Sequence, residues 1–175
     1  KRTSDMRHFM TATLVALTLA LTAGAVRADS GSAGSDIGFR GWGPRLGLTF
    51  NPDQVHVGAH MDFGNFARHV RFQPNVEVGF GDNLTLVTLN ADAAYRFSEN
   101  WDVWTPYLGG GVGMNFASYG DDGLGDDTSS DLGASVLGGI EKGLSNGDRF
   151  FLETKIGVID ASPDVMLTVG WTFYH

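Results

Sequence analysis

The stretch Val165-Met166-Leu167-Thr168-Val169-Gly170-Trp171-Thr172-Phe173-Tyr174 decides the fold. Val165, Leu167, Val169, Trp171 and Phe173 fall on one side of an extended chain, and Met166, Thr168, Gly170, Thr172 and Tyr174 on the other. Successive side chains of a strand point to opposite faces, so this reads as a strand with one apolar face and one small or polar face. On a helix the same residues would scatter around the axis.

Working back from it, the same period of two recurs seven times. Residues 149–160 set Phe150, Leu152, Ile156 and Val158 against Phe151, Glu153, Lys155 and Gly157. Residues 131–144 set Leu132, Ala134, Val136 and Ile140 against Gly133, Ser135, Gly139 and Glu141. Residues 104–116 oppose Trp104, Leu108, Val112, Met114 and Phe116 to Tyr107, Gly109, Gly111, Gly113 and Asn115. Residues 85–97 oppose Val87, Leu89, Ala91, Ala93, Tyr95 and Phe97 to Thr88, Asn90, Asp92 and Arg96. In 69–80, Val70, Phe72, Val76, Val78 and Phe80 face away from Arg71, Gln73, Asn75 and Glu77. In 55–63, Val55, Val57, Ala59, Met61 and Phe63 face away from His56, Gly58, His60 and Asp62. In 44–50, Leu46, Leu48 and Phe50 oppose Arg45, Gly47 and Thr49.

Turn formers separate these runs: Asn51-Pro52-Asp53, Gly64-Asn65, Gly81-Asp82-Asn83, Ser98-Glu99-Asn100, a long loop over 119–130, Ser145-Asn146-Gly147-Asp148 and Ala161-Ser162-Pro163. Such short connections make antiparallel hairpins, so the expectation is all-β, with eight strands in up-and-down order. Pro44, Pro74 and Pro106 each lack a ladder donor, and bulges or strand ends are expected there.

Composition narrows the class. With 25 Gly in 175 residues, 42% apolar, 18% charged and no Gly-X-Y period, neither collagen nor a charged helical bundle fits. The first 28 residues carry four cations and one acid, the remainder eight cations and nineteen acids. So acidic a body repels nucleic acid. The absence of Cys removes both a disulfide framework and a lipidation site.

Arg7 and His8 precede an uncharged run over 9–25, then Val26-Arg27-Ala28. This is the pattern of a signal peptide over 1–28 cleaved after Ala28; the run is short of the roughly 20 residues that span a bilayer as a helix. A flexible linker is expected over 29–36 and the barrel over 37–175.

Alternation alone does not say which face meets lipid. The polar faces hold Arg45, Arg71, Arg96 and Lys155 against Asp62, Glu77, Asp92, Glu141 and Glu153. That near balance suits a closed interior in which every charge must be paired. Gly109, Gly111 and Gly113 leave room in an eight-strand interior only wide enough for side chains. Phe50, Phe63, Phe80, Phe97, Trp104, Phe116, Phe150 and Trp171 are placed to form two aromatic girdles. The expectation is a transmembrane β-barrel with a lumen salt-bridge network; in the opposite reading, a soluble lipocalin-like carrier, the apolar faces line a pocket for a small apolar ligand.

The runs Arg71-Phe72-Gln73-Pro74-Asn75-Val76-Glu77-Val78-Gly79-Phe80-Gly81, Pro106-Tyr107-Leu108-Gly109-Gly110-Gly111-Val112-Gly113 and Val169-Gly170-Trp171-Thr172-Phe173-Tyr174 resemble the OmpA-like and OmpX-like eight-stranded outer-membrane barrels of Gram-negative bacteria. The resemblance implies location in the outer membrane, contact with its lipid and lipopolysaccharide, and insertion by the barrel assembly machinery through the outward aromatic Phe173. It implies a monomer with a structural or surface-interaction role, without the peptidoglycan-binding domain that follows the barrel in OmpA.

Other chemistry is thinly represented. No cofactor is implied. His56 and His60 lie on one strand face roughly 13 Å apart, too far to share a metal, and read as network members. The loop acids Asp121, Asp122, Asp126 and Asp127 lack the spacing of an EF-hand and read as a solvated surface loop. A lipid A-modifying enzyme would need Ser, His and a carboxylate at the lipid face; Ser135 and Glu141 point inward, and the one outward His is His175. A narrow ion pore is the remaining alternative, against which stands the pairing of the lumen charges. Replacing Arg96 by Ala is expected to leave a buried carboxylate unpaired.

Overall fold

The computed structural model describes residues 35–81, 84–99, 101–119, 127–159 and 162–174. The signal-peptide and nearly all of the linker expectations fall on 1–34, outside the described residues, as do Asp121, Asp122 and Asp126.

Eight strands run in chain order: β1 (Asp36–Phe50), β2 (Gln54–Ala67), β3 (Val70–Gly81), β4 (Leu84–Arg96), β5 (Thr105–Tyr119), β6 (Asp127–Gly143), β7 (Arg149–Gly157) and β8 (Val165–Tyr174). Each pairs antiparallel with the next, and β1 pairs with β8 through Leu46↔Val169, closing the sheet. Closure leaves no strand edge unpaired, which a hydrocarbon environment requires. Among the described residues no helix is long and apolar enough to cross a membrane.

The strand count and the facing of every run agree with the sequence; several boundaries do not. β1 begins at Asp36, eight residues before the alternation becomes legible, because Gly38, Gly41 and Gly43 blur it and a register shift falls between Ile37 and Gly41. β2 runs through the expected Gly64-Asn65 turn to Ala67. Gly64 there has a positive φ of 73°, with register shifts between His60 and Asn65 and between Asn65 and Ala67, so the signal marks a bulge. The turn is Arg68-His69 instead. β6 begins at Asp127, so this residue belongs to the strand rather than to the acidic loop, pairing with Tyr119. β7 stops at Gly157, three residues early.

The prolines divide similarly. Pro106 is one residue inside the start of β5, and Pro74 lies opposite the β2 register shift. Pro44 departs from expectation: the β1–β2 register runs through it unbroken, Pro44↔Ala59. On its other side the β1–β8 ladder skips from Trp42↔Phe173 to Arg45↔Gly170, so the missing donor falls where no ladder pair forms.

Outside, Leu46, Val57, Leu89, Val112 and Leu152 are exposed. Inside, Arg45, His60, Glu77 and Glu141 are buried. A soluble carrier would have the reverse arrangement, so the lipocalin-like alternative fails on the direction of the side chains. The aromatic rings gather at the end bearing the strand termini. There Trp104–Phe150–Trp171–Phe173–Trp42 form a chain of edge and tilted contacts with centroids 5.8 to 6.4 Å apart. Phe39–Phe63–Phe72 continue the belt over β1 to β3. Phe50 and Phe80 mark the opposite, sparser rim.

Candidate functional site in the barrel lumen

The strand phases send the polar residues inward, and the register decides which of them meet. Arg45 of β1 pairs with Glu77 of β3 at 2.8 Å and donates to Glu153 of β7 at 2.5 Å. Tyr107 donates to the same Glu153 at 3.1 Å. Arg71 donates to Glu141 at 2.5 Å, and Arg96 reaches Glu141 at 2.6 Å. Lys155 donates to Asp92 at 2.7 Å, and Asn75 to the same carboxylate at 2.7 Å. Eight of the nine residues of the expected network are joined by these contacts; the ninth, Asp62, meets a cation the sequence reading left out.

The sequence reading missed a member. Arg149 donates to Asp62 at 2.9 Å and lies 3.6 Å from Glu141. It completes a balance of five cations against five carboxylates. Its phase was the signal available, since Arg149 opens the 149–160 run and shares the face of Phe151, Glu153 and Lys155, but the inward charges counted from that run began at Glu153.

Three guanidinium groups also lie over aromatic rings, each ring stacked on a glycine of the next strand. Arg45 lies over Phe151 at 5.6 Å, Arg71 over Tyr107 at 5.4 Å and Arg149 over Tyr174 at 5.5 Å. Phe151 pairs across the ladder with Gly170, Tyr107 with Gly139 and Tyr174 with Gly41. A Cβ on Gly170 would stand 2.2 Å from the Phe151 ring, and one on Gly139 2.6 Å from that of Tyr107. These glycines let large rings lie flat across the narrow lumen, and the rings in turn support the arginines. Asp92 over Gly111 and Glu77 over Gly58 repeat the device with carboxylates. Tyr107, Leu137, Phe151 and Ala94 form a buried apolar layer within the polar lumen; Leu137 is the inward apolar residue that β6 conceals among small ones.

The two histidines belong to separate sets. His56 sits between Thr49 and Thr168, at 2.8 and 3.0 Å, whereas His60 reaches Thr172 at 2.8 Å and meets the Phe151 ring edge-on. Among the described residues no group of three His, Cys, Asp or Glu is placed to hold a metal.

The arrangement tempers one expectation. The Arg96 side chain is 40% exposed, and Glu141 keeps Arg71 and Arg149 when Arg96 is lost. Arg96→Ala is therefore expected to cost under about 1 kcal/mol, as an exposed pair does, and Arg149→Ala about 3 kcal/mol, because Asp62 loses a buried partner. Urea unfolding of the two variants in detergent micelles compares them directly.

A closed sheet, apolar outside and ion-paired inside, defines a transmembrane β-barrel of the eight-stranded outer-membrane type. Solved structures of that type share the architecture. Neisserial surface protein A is similar with a TM-score of 0.60 and 16% identity over 78% of this chain and 96% of its own. The N-terminal β-barrel domain of Pseudomonas aeruginosa OprF is similar at 0.50 and 16%, over 80% of this chain and 99% of that domain. A de novo designed protein, TMB2.3, is similar at 0.50 and 13%, over 80% and 95%. These likenesses are of fold. No protein-family model matches the chain, and no curated protein does.

Proposed function

We propose that this chain resides in a Gram-negative outer membrane as a monomeric barrel whose role is structural and interactive, without catalysis. The observation that carries the reading is the occupied lumen: Arg45 is buried, tied to Glu77 and Glu153 and backed by Phe151. The network acts as a plug, and contact with the surroundings falls to the lipid face and the loops. The outward Phe173 beside Trp42 is the feature for the assembly machinery to read.

Net charge differs along the barrel axis. At the end with the termini the exposed or partly exposed cations Arg40, Arg68, Arg96 and Lys142 are matched by Asp36, Glu99, Asp102 and Asp148, whereas the described residues of the opposite rim include Asp53, Asp131 and Asp164 and no exposed cation. With the termini in the periplasm, this acidic rim meets the lipopolysaccharide leaflet, where like charges tolerate each other through bridging divalent cations.

The test is cell fractionation followed by gel electrophoresis of boiled and unboiled samples, with planar-bilayer conductance on the purified protein. The expected result is an outer-membrane band whose migration depends on heating, and no unitary conductance. Recovery as a soluble protein would overturn the location. Steady conductance would overturn the plug in favour of a narrow pore, and a changed lipid A mass spectrum on expression would favour an enzyme.

A further inference from the structure

At the mouth opposite the termini, the described residues Ser162-Pro163-Asp164, which lead into β8, turn in against β6. The last β6–β7 ladder pair is Ser135↔Gly157. Beyond it the backbone of Ala134 is taken up by Val158 and Ser162 rather than by a continuing strand: the Val158 N–H donates to the Ala134 carbonyl at 2.9 Å, Ser162 Oγ donates to the same carbonyl at 3.0 Å, and it accepts from the Ala134 N–H at 3.0 Å. Pro163 is buried. On the other side, Asp164 accepts from Asn51 Nδ2 at 2.6 Å, and its N–H donates to the Asn51 carbonyl at 3.3 Å.

The seat is cut for this segment. A Cβ on Gly157 would stand 2.5 Å from the Pro163 carbonyl oxygen, and one on Gly133 3.0 Å from Ser162 Oγ, so the approach depends on both glycines. Beneath the segment is a cavity of about 20 Å³ lined by Thr88, Asn90, Asn115, Ser135, Lys155 and Met166. That is room for about one water. Its floor is polar and tied together: Lys155 and Asn75 hold Asp92, and Asn90 donates to Asn75 at 3.0 Å. The Arg45 stack lies beyond it.

We propose that Ser162-Pro163-Asp164 is a lid over a dead-end polar vestibule, which admits water and small hydrogen-bonding solutes when the lid lifts while the arginine stacks keep the barrel shut. The latches are a few side-chain and turn hydrogen bonds at one rim, whereas the wall is a continuous ladder, so the lid is the segment that opens at least cost. Among the described residues of the cavity the one ion pair is the neutralised Lys155–Asp92, and the carboxylates of Asp131 and Asp164 stand at its rim, which disfavours an anion and suits a neutral polar solute. This inference rests on the fold and the plug, and is independent of which side of a membrane the mouth faces.

The chain has no Cys, so Ser135→Cys places a single thiol in the vestibule with no background. Protein folded in detergent micelles is treated with methyl methanethiosulfonate, a neutral reagent chosen because Lys155 lines the cavity. Releasing one latch with Ser162→Ala, or the other with Asn51→Ala, is expected to speed modification of that thiol about tenfold. Equal rates with and without the latches would overturn the lid. Only variants that keep their heat-dependent gel shift are compared, and two independent releases guard against one failing to fold. Conductance that appears on release would overturn the dead end while leaving the lid, whereas conductance in the parent protein would count against the plug itself.

Discussion

Arg45→Ala is expected to lower the stability of the folded barrel by about 3–5 kcal/mol, seen as a reduced urea midpoint in detergent micelles. Arg45 has a side-chain exposure of 1%, and its loss strands Glu77 and Glu153, at 1% and 5%, without their closest cation. It also removes the group stacked on Phe151. Arg45→Lys keeps the charge but not the planar fork that serves two carboxylates and a ring at once, so it is expected to recover only part of the loss. A near wild-type midpoint for Arg45→Ala would mean that water reaches Glu77 and Glu153, and the plug would have to be abandoned.

Phe151 and Gly170 provide the second large effect. Phe151→Ala empties the middle of the lumen and is expected to cost about 3–5 kcal/mol. Gly170→Ala places a Cβ 2.2 Å from the Phe151 ring, and is expected to cost about 1–3 kcal/mol by overpacking. The double variant should cost less than the sum by about 1 kcal/mol, because the new methyl occupies space that the ring has vacated. Strict additivity would show that ring and glycine do not share a site.

Gly170 illustrates how far local reading goes. Its inward phase is plain from its place between Val169 and Trp171, and its small size reads as room-making. That the room is for Phe151 depends on the β7–β8 register, Phe151↔Gly170, which no single strand contains. The same holds for Arg149: its phase is local, but its partners are Asp62 of β2 and Glu141 of β6, brought beside it by closure of the sheet. Gly64 misled for a related reason. A glycine at positive φ serves a bulge as well as a turn, and only the pairing with β3 tells them apart.

The sequence by itself determined the number of strands and which side chains share a face, because period-two alternation is a property of the extended chain and is written residue by residue. It also determined that the interior charges must nearly cancel, since composition fixes how many of each sign the inward faces carry. The tertiary structure alone decided who pairs with whom: which carboxylates Arg45 joins, which glycine lies beneath each ring, and that Ser162 leaves the loop to bond Ala134. Those contacts join positions up to 133 residues apart, as in Tyr174 with Gly41. They are set by ladder register and barrel closure, and neither is encoded in any one segment.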